Sequence, residues 1–446
     1  MVENTVNAND LKIPKRILDA LLLSLSAGVV PRSGAPYIAI GRNEEISALL
    51  DNLDTVESGG AAIRFLIGRY GSGKSFLMQL IRGRALEKDF ITADADLSPE
   101  RKLCGGNGVA TYRELMRNMA SKACPENGAM NAVLSRFYLQ MKQGLIADGV
   151  LPDNNCYNFE LKQRLFTTLS ALQRNVGGFD FVMVLGLYYE ACIQENESQK
   201  AAALRWLRGE YMTKTEAKNA LGIAVSTIIG DENWYDYIKL WADFSAIAGY
   251  KGFIVFIDEC VNLYKISNRI SREANYEKLL SIFNDTMQGR ASYLGVVFSG
   301  TPQFLEDSRR GLFSYEALKS RLADSRYQEM GYRNLSSPVI RLRTLSPNEL
   351  LALLARLTKL WQQKYTLSPV PNADQMQMFL TDTLSRIGAE ELMTPREMIR
   401  NYLSLLAVLR DNPNASFEAL IAEQPSAPGC DEDNDDISGF EDFQLF

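Results

Sequence analysis

The stretch Gly68-Arg69-Tyr70-Gly71-Ser72-Gly73-Lys74-Ser75, which directly follows the apolar run Ile63-Arg64-Phe65-Leu66-Ile67, restricts this chain more than any other part of it. It spells G-x-x-x-x-G-K-S, a loop that wraps a polyphosphate. Only glycines let backbone N–H groups come that close to phosphate oxygens and turn that sharply, and Gly68, Gly71 and Gly73 supply this. Lys74 adds a point charge for the β- and γ-phosphates, and the Ser75 hydroxyl is placed to hold Mg²⁺. The positive end of a helix predicted over Phe76 to Arg84 faces the same anion. The alternative, a Gly-rich turn without function, would need neither the strand before the loop nor the helix after it.

With 446 residues, 46% of them hydrophobic, the chain is long enough for two or three domains with a sizeable core. Residues 1–14 are polar and no apolar run approaches the ~20 residues of a membrane span, so a cytoplasmic protein is expected. The six cysteines are scattered without a C-x-x-C pair, which points to free thiols rather than disulfides or a zinc site. There is no histidine, so proton handling falls to carboxylates or lysines. Residues 431–446 carry seven acids and no Lys or Arg, and the remainder has a net charge of +1. Such a body neither requires nor excludes nucleic acid.

Residues 1–10 read as disordered, and 15–27 as an amphipathic helix ended by Gly28 before Pro31. Phe90 to Ala93 reads as a second strand. From about 111 to 250 the period is helical, forming a long insert. Its Trp206, Trp234, Tyr235, Tyr237 and Trp241 suit core or interface packing better than base stacking. Unbroken apolar runs at Phe253–Ile257 and Leu294–Phe298 have the character of parallel strands covered on both faces. Alternating strands and helices define an α/β doubly wound sheet with ligands beyond the carboxyl ends of its strands. Val339 to Leu342 is a last strand. Ser346-Pro347-Asn348-Glu349 and Thr394-Pro395-Arg396-Glu397 each open a helix with a capping residue, a proline and a capping glutamate. The expected divisions are 1–36, an N-terminal helix and linker; 37–343, an α/β core with the insert; 344–412, a helical lid; and 413–446, an acidic disordered tail.

Asp258 and Glu259 end the first of the two apolar runs. Asp258 is placed to bind Mg²⁺ directly or through water, and Glu259 to polarise an attacking water. Ser299 and Thr301 end the neighbouring strand, where a hydroxyl could position that water or touch the γ-phosphate; a Gly-Thr-Pro turn with helix-capping chemistry explains them equally well. Arg321 stands in a basic cluster with Arg309, Arg310, Lys319 and Arg326 that a solvated helix face also explains. Arg396 sits in a first helical turn, where a cation opposes the dipole unless an anion is near.

Taken in order, Gly41-Arg42-x-x-Glu45, the phosphate loop, Asp258-Glu259, a hydroxyl-bearing strand end, Leu318-Lys319-Ser320-Arg321 and Thr394-Pro395-Arg396 resemble the AAA+ ATPases of the initiator, clamp-loader and Holliday-junction-motor type. The resemblance implies an AAA+ core with a helical lid. It adds Gly41, Arg42, Tyr70, Ser72 and Phe76 to the nucleotide contacts, makes Arg321 a finger offered to a neighbouring subunit's nucleotide, and makes Arg396 the lid's sensor. A closer resemblance spans about Ile17 to Leu409. It includes GVVPRSGAPYIAIGRNEE, DADLSPER, NWYDYIKLWADFSAIAGYKGFIVFIDE, VNLYKISN and GTPQFLEDSRRGLFSYEALKSRLA, and is to the ATP-binding proteins encoded in BREX bacteriophage-exclusion loci. It implies a homo-oligomeric, Mg²⁺-dependent ATPase in anti-phage defence, working on DNA with partners such as a helicase and a methyltransferase. A rival reading is an ATP-bound scaffold with little or no hydrolysis that coats DNA and recruits an effector. A base-reading winged helix like that of initiator relatives after the lid is not carried over by the resemblance, so no such module is expected.

Overall fold

A computed structural model describes residues 13–365, 370–385 and 394–422. The disorder expected at 1–10 and the acidic stretch beyond 430 lie outside the described residues. The chain begins with α1 (Lys15–Ser26) and α2 (Asn43–Glu57), then β1 (Ala61–Ile67), α3 (Lys74–Glu87) and β2 (Ile91–Asp96). Seven helices follow before the next strand: α4 (Gly108–Arg117), α5 (Met130–Ala147), α6 (Tyr157–Leu169), α7 (Gly178–Ile193), α8 (Glu197–Leu207), α9 (Lys214–Leu221) and α10 (Trp234–Ile247). The core resumes with β3 (Phe253–Asp258), α11 (Val261–Tyr264), α12 (Arg269–Met287), β4 (Leu294–Gly300), α13 (Pro302–Glu306), α14 (Glu316–Leu322), α15 (Arg326–Glu329) and β5 (Val339–Arg341). The lid comprises α16 (Pro347–Lys364), α17 (Ala373–Ser385) and α18 (Pro395–Asp411), followed by α19 (Phe417–Ala422).

The five strands form one parallel sheet in the order β2-β3-β4-β1-β5. This is the α/β sheet flanked by helices, with a long helical insert and a C-terminal helical lid, that the sequence pattern calls for. Parallel pairing brings the carboxyl ends of the strands to one edge, so that Asp96 stands level with Asp258 and Ile67 with Gly300. Strand alternation sorts the side chains between two layers. Ile63, Phe65, Val255 and Phe298 face one core, whereas Ala62, Leu66, Ile254 and Val297 face another with α2 and α3.

The first of these cores also contains the insert, which therefore is no appendage. Trp206, Trp234 and Trp241 are each 1% exposed and share a cluster with the sheet. Two of the polar ends are used internally, Trp234 Nε1 donating to the Leu103 carbonyl at 2.9 Å and Trp241 Nε1 to the Tyr112 hydroxyl at 3.0 Å, while Trp206 Nε1 is buried without a hydrogen-bond partner. These rings are core, and none is presented for stacking on a base.

Two features depart from the expected divisions. Helix α1 does not stand apart as an N-terminal element, because Leu18, Leu21, Leu22 and Leu25 are buried in one cluster with Leu354, Leu357, Trp361, Tyr402 and Leu406 of α16 and α18. The range assigned to the tail begins with order: α19 buries Phe417 and Ile421 in that same cluster. Two apolar residues four apart make one helical face, and that face outweighs the polar composition around it.

Candidate functional site: a phosphate loop under a lid

Both halves of the loop's chemistry are visible in its backbone. Gly71 (φ +71°) and Gly73 (φ +96°) take left-handed conformations that side chains resist. At Gly71 the space is also closed, since a Cβ would lie 2.5 Å from that of Thr394, the capping residue of α18. The lid thus touches the loop itself. Lys74 is buried, and its ammonium donates to the carbonyls of Gly68 and Arg69, at 2.9 Å each. Burial lowers its pKa, and the carboxylates of Asp258 and Glu259 oppose that effect.

Three donors converge on Asp258 at the end of β3. Ser75 Oγ donates to Oδ2 at 2.6 Å, while Ser299 Oγ (2.5 Å) and the Glu259 N–H (2.7 Å) share Oδ1. Glu259 takes φ +55°, a left-handed conformation that costs a non-glycine residue about 1 kcal/mol or more and is typical of functional positions. The bond from its N–H to Asp258 holds this geometry. Loss of solvation, and then the Asp258 charge, push the Glu259 carboxyl up, with Lys74, Lys265 and Arg396 pulling the other way. Asp96, level with Asp258 in the sheet, is pushed up to about 6 by desolvation and by the same neighbour.

Above the loop lies a cleft walled by Val29, Val30, Ile38, Ile40, Leu353 and Ile399, with Arg42, Tyr70, Phe76, Glu259 and Arg396 around its polar end. Its chemistry suits a nucleoside triphosphate, with apolar walls for a base and cations for phosphates. Two buried polar atoms here have no hydrogen-bond partner, Ser72 Oγ and Arg42 Nη1. Ser75 and Asp258 are the groups that would hold Mg²⁺. Among the described residues no cluster of three or more Cys, Asp or Glu could hold a metal ion.

Not every residue singled out in the sequence meets in the cleft. Gly41 (φ +67°) is packed under Glu349, so its role is close approach. Ser299 is fully buried and its hydroxyl is committed to Asp258. Thr301 caps α13, its Oγ1 accepting from the Phe304 N–H at 3.3 Å, and does not line the cleft. Arg321 lies on α14 away from the cleft, donating to Asn284 Oδ1 at 3.2 Å and to the Ala317 carbonyl at 2.7 Å. Conversely, the walls Val29, Val30 and Ile38, and Asp96 beside Asp258, were not anticipated. The motif D-A-D at the end of β2 was the only signal for Asp96.

The parallel sheet, the phosphate loop and the carboxylate pair at the end of β3 together define a P-loop ATPase fold. Residues 13–425 match the model of the BREX system ATP-binding protein BrxC/D family, and the chain belongs to that family. No curated protein matches the chain. ATP binding and a place among the components of a phage-defence system come with this membership. Among the described residues no helix is long and apolar enough to cross a membrane.

Proposed function

We propose that this chain is a cytoplasmic AAA+ ATPase that hydrolyses Mg²⁺·ATP as a switch or motor of the defence complex. It would act on DNA as a homo-oligomer beside a helicase and a methyltransferase. The observation that carries the hydrolytic part is the arrangement at Asp258, whose carboxylate engages Ser75 of the phosphate loop and at the same time fixes the backbone of Glu259. Backbone N–H groups of the loop and Lys74 bind the phosphates; Mg²⁺ on Ser75 and Asp258 would offset charge on the β- and γ-oxygens. Glu259 accepts a proton from the water as its oxygen bonds to the γ-phosphorus and the bond to the ADP oxygen breaks. Its raised pKa suits that acceptance. Arg396, at the start of α18, brings a cation from the lid, and its charge already acts on Lys74 and Glu259.

Arg321 reaches no part of its own cleft and is exposed on α14, where it would serve a neighbour's γ-phosphate, and this supports an oligomer. Turnover measured with and without duplex DNA tests the whole reading. Stimulation by DNA is expected, and slow turnover indifferent to DNA would favour the ATP-bound scaffold.

A further inference from the structure

One buried carboxylate beside the phosphate loop has no part in the chemistry above. Glu45, in the first turn of α2, is 1% exposed. Its Oε1 faces two guanidinium groups from distant parts of the chain: Arg333 Nη2 donates to it at 2.7 Å, and Arg42 Nη1 lies 3.7 Å away. Arg42 is itself 9% exposed, and its Nη2 donates to the carbonyl of Ser72 in the phosphate loop at 3.0 Å. Its backbone takes φ +139°, where a side chain other than glycine is strained. Arg333 stands in the loop between α15 and β5, also bonds Glu44, is partly exposed and does not line the cleft.

These contacts form a single line from the segment that follows Arg321 to the phosphate loop. A buried carboxylate must be paired, and with Arg333 in place Glu45 is satisfied at hydrogen-bond distance, which leaves Arg42 at 3.7 Å and free to bond Ser72. Without Arg333, Arg42 at 3.7 Å is the nearest cation left to Glu45, with Arg343, paired to Glu349, acting on it from farther off. A charge-assisted bond closes at about 2.8 Å, so Arg42 would be drawn roughly 1 Å toward Glu45 and away from the loop.

We propose that Glu45 is a positioning residue which, held by Arg333, keeps Arg42 on the Ser72 carbonyl, so that the placement of the α15–β5 segment sets the nucleotide affinity of the phosphate loop. The proposal rests on the reading of the cleft as an ATP site and adds a control point to it. Because this segment follows α14, which carries Arg321, a contact made there by a neighbouring subunit would reach the loop through Arg333.

The test is a double-mutant cycle read by equilibrium binding of a non-hydrolysable ATP analogue to the full chain. Arg333→Gln should weaken binding about tenfold, a coupling in the ordinary allosteric range, whereas Glu45→Gln, which also removes the charge that would draw Arg42 off Ser72, should weaken it less. The double variant should bind more tightly than Arg333→Gln alone, because without the Glu45 charge nothing draws Arg42 from the loop. Arg333→Lys, which keeps a donor for Glu45, should recover most of the affinity. A purely structural role would lower thermal stability and leave the dissociation constant in place. Unchanged affinity in Arg333→Gln, or a double variant no tighter than Arg333→Gln alone, would overturn the proposal. Should Glu45→Gln fail to fold, Arg333→Gln against Arg333→Lys still decides. An unaltered chain that does not bind the analogue would refute the ATP reading of the cleft, and the relay with it.

Discussion

Replacing Leu21 by Ala tests whether α1 is part of the lid and of the nucleotide cleft. Leu21 is fully buried among the leucines of α16 and α18. It also supports the turn at Gly34, where an added Cβ would lie 3.3 Å from that of Leu21. Loss of a buried leucine side chain removes about 1.5–3 kcal/mol of transfer free energy, and the cavity left behind raises the total to about 2–5 kcal/mol. With no exposed edge through which to relax, Leu21→Ala should fall near the middle, at about 3 kcal/mol. The loss should be local, because α1 and the lid form a hydrophobic cluster distinct from those of the sheet. Amide hydrogen exchange should therefore quicken in α1, α16 and α18 while the strands keep their protection. ATP affinity should fall with it, because Val29, Val30 and Pro31 reach the cleft from the end of α1. Wild-type protection in the lid together with wild-type affinity would refute the claim that α1 is a structural part of the lid.

Arg321→Ala should keep ATP affinity yet lose most turnover, because a cation delivered to the γ-phosphate is worth ~10³–10⁵ in rate in other P-loop systems; mixing it with Lys74→Ala should restore part of the activity through hybrid interfaces, and undiminished turnover in Arg321→Ala would end the shared-site model. Desolvation and the charge of Asp258 push Asp96 up to about 6 from an ordinary 3.8, so its ionised form costs folding stability at neutral pH, and the cost is lifted as pH falls through that window. Asp96→Asn should accordingly stabilise the protein at pH 7.5 and lose that advantage by pH 5, as read by denaturant melts; an advantage independent of pH would show that loss of solvation and the neighbouring carboxylates do not raise the Asp96 pKa. Thr301→Ala should cost about 1 kcal/mol by uncapping α13 and leave turnover intact, with Thr301→Ser restoring stability. A hundredfold loss of turnover at unchanged stability would put the hydroxyl in the reaction instead.

What could be read from the sequence was local. The phosphate loop and the two buried strands declare themselves in short stretches, and both capping boxes of the lid are present as written, with Ser346 and Thr394 accepting from the N–H groups of Glu349 and Glu397. Asp258 was legible because an acid that ends an apolar strand in such a chain has few other uses. The partners of a face were not legible. Four leucines on α1 announce a buried side but not that α16 and α18 cover it, and a polar stretch hid the short apolar face of α19. The contact of Glu45 with Arg333 spans 288 residues and leaves no periodic trace. Thr301 shows the reverse case, a residue whose placement beside a catalytic strand suggested chemistry and whose bond is that of a helix cap.

The most direct measurement is the turnover of Glu259→Gln beside its ATP affinity. The amide keeps the shape of the side chain and removes its ability to take a proton, and Lys74 and the loop that bind phosphate are untouched. The variant should bind Mg²⁺·ATP as the wild type does and hydrolyse it at least a hundredfold more slowly, the range typical of a lost general base. Wild-type turnover in Glu259→Gln would contradict the account, since among the described residues no other carboxylate lines the cleft.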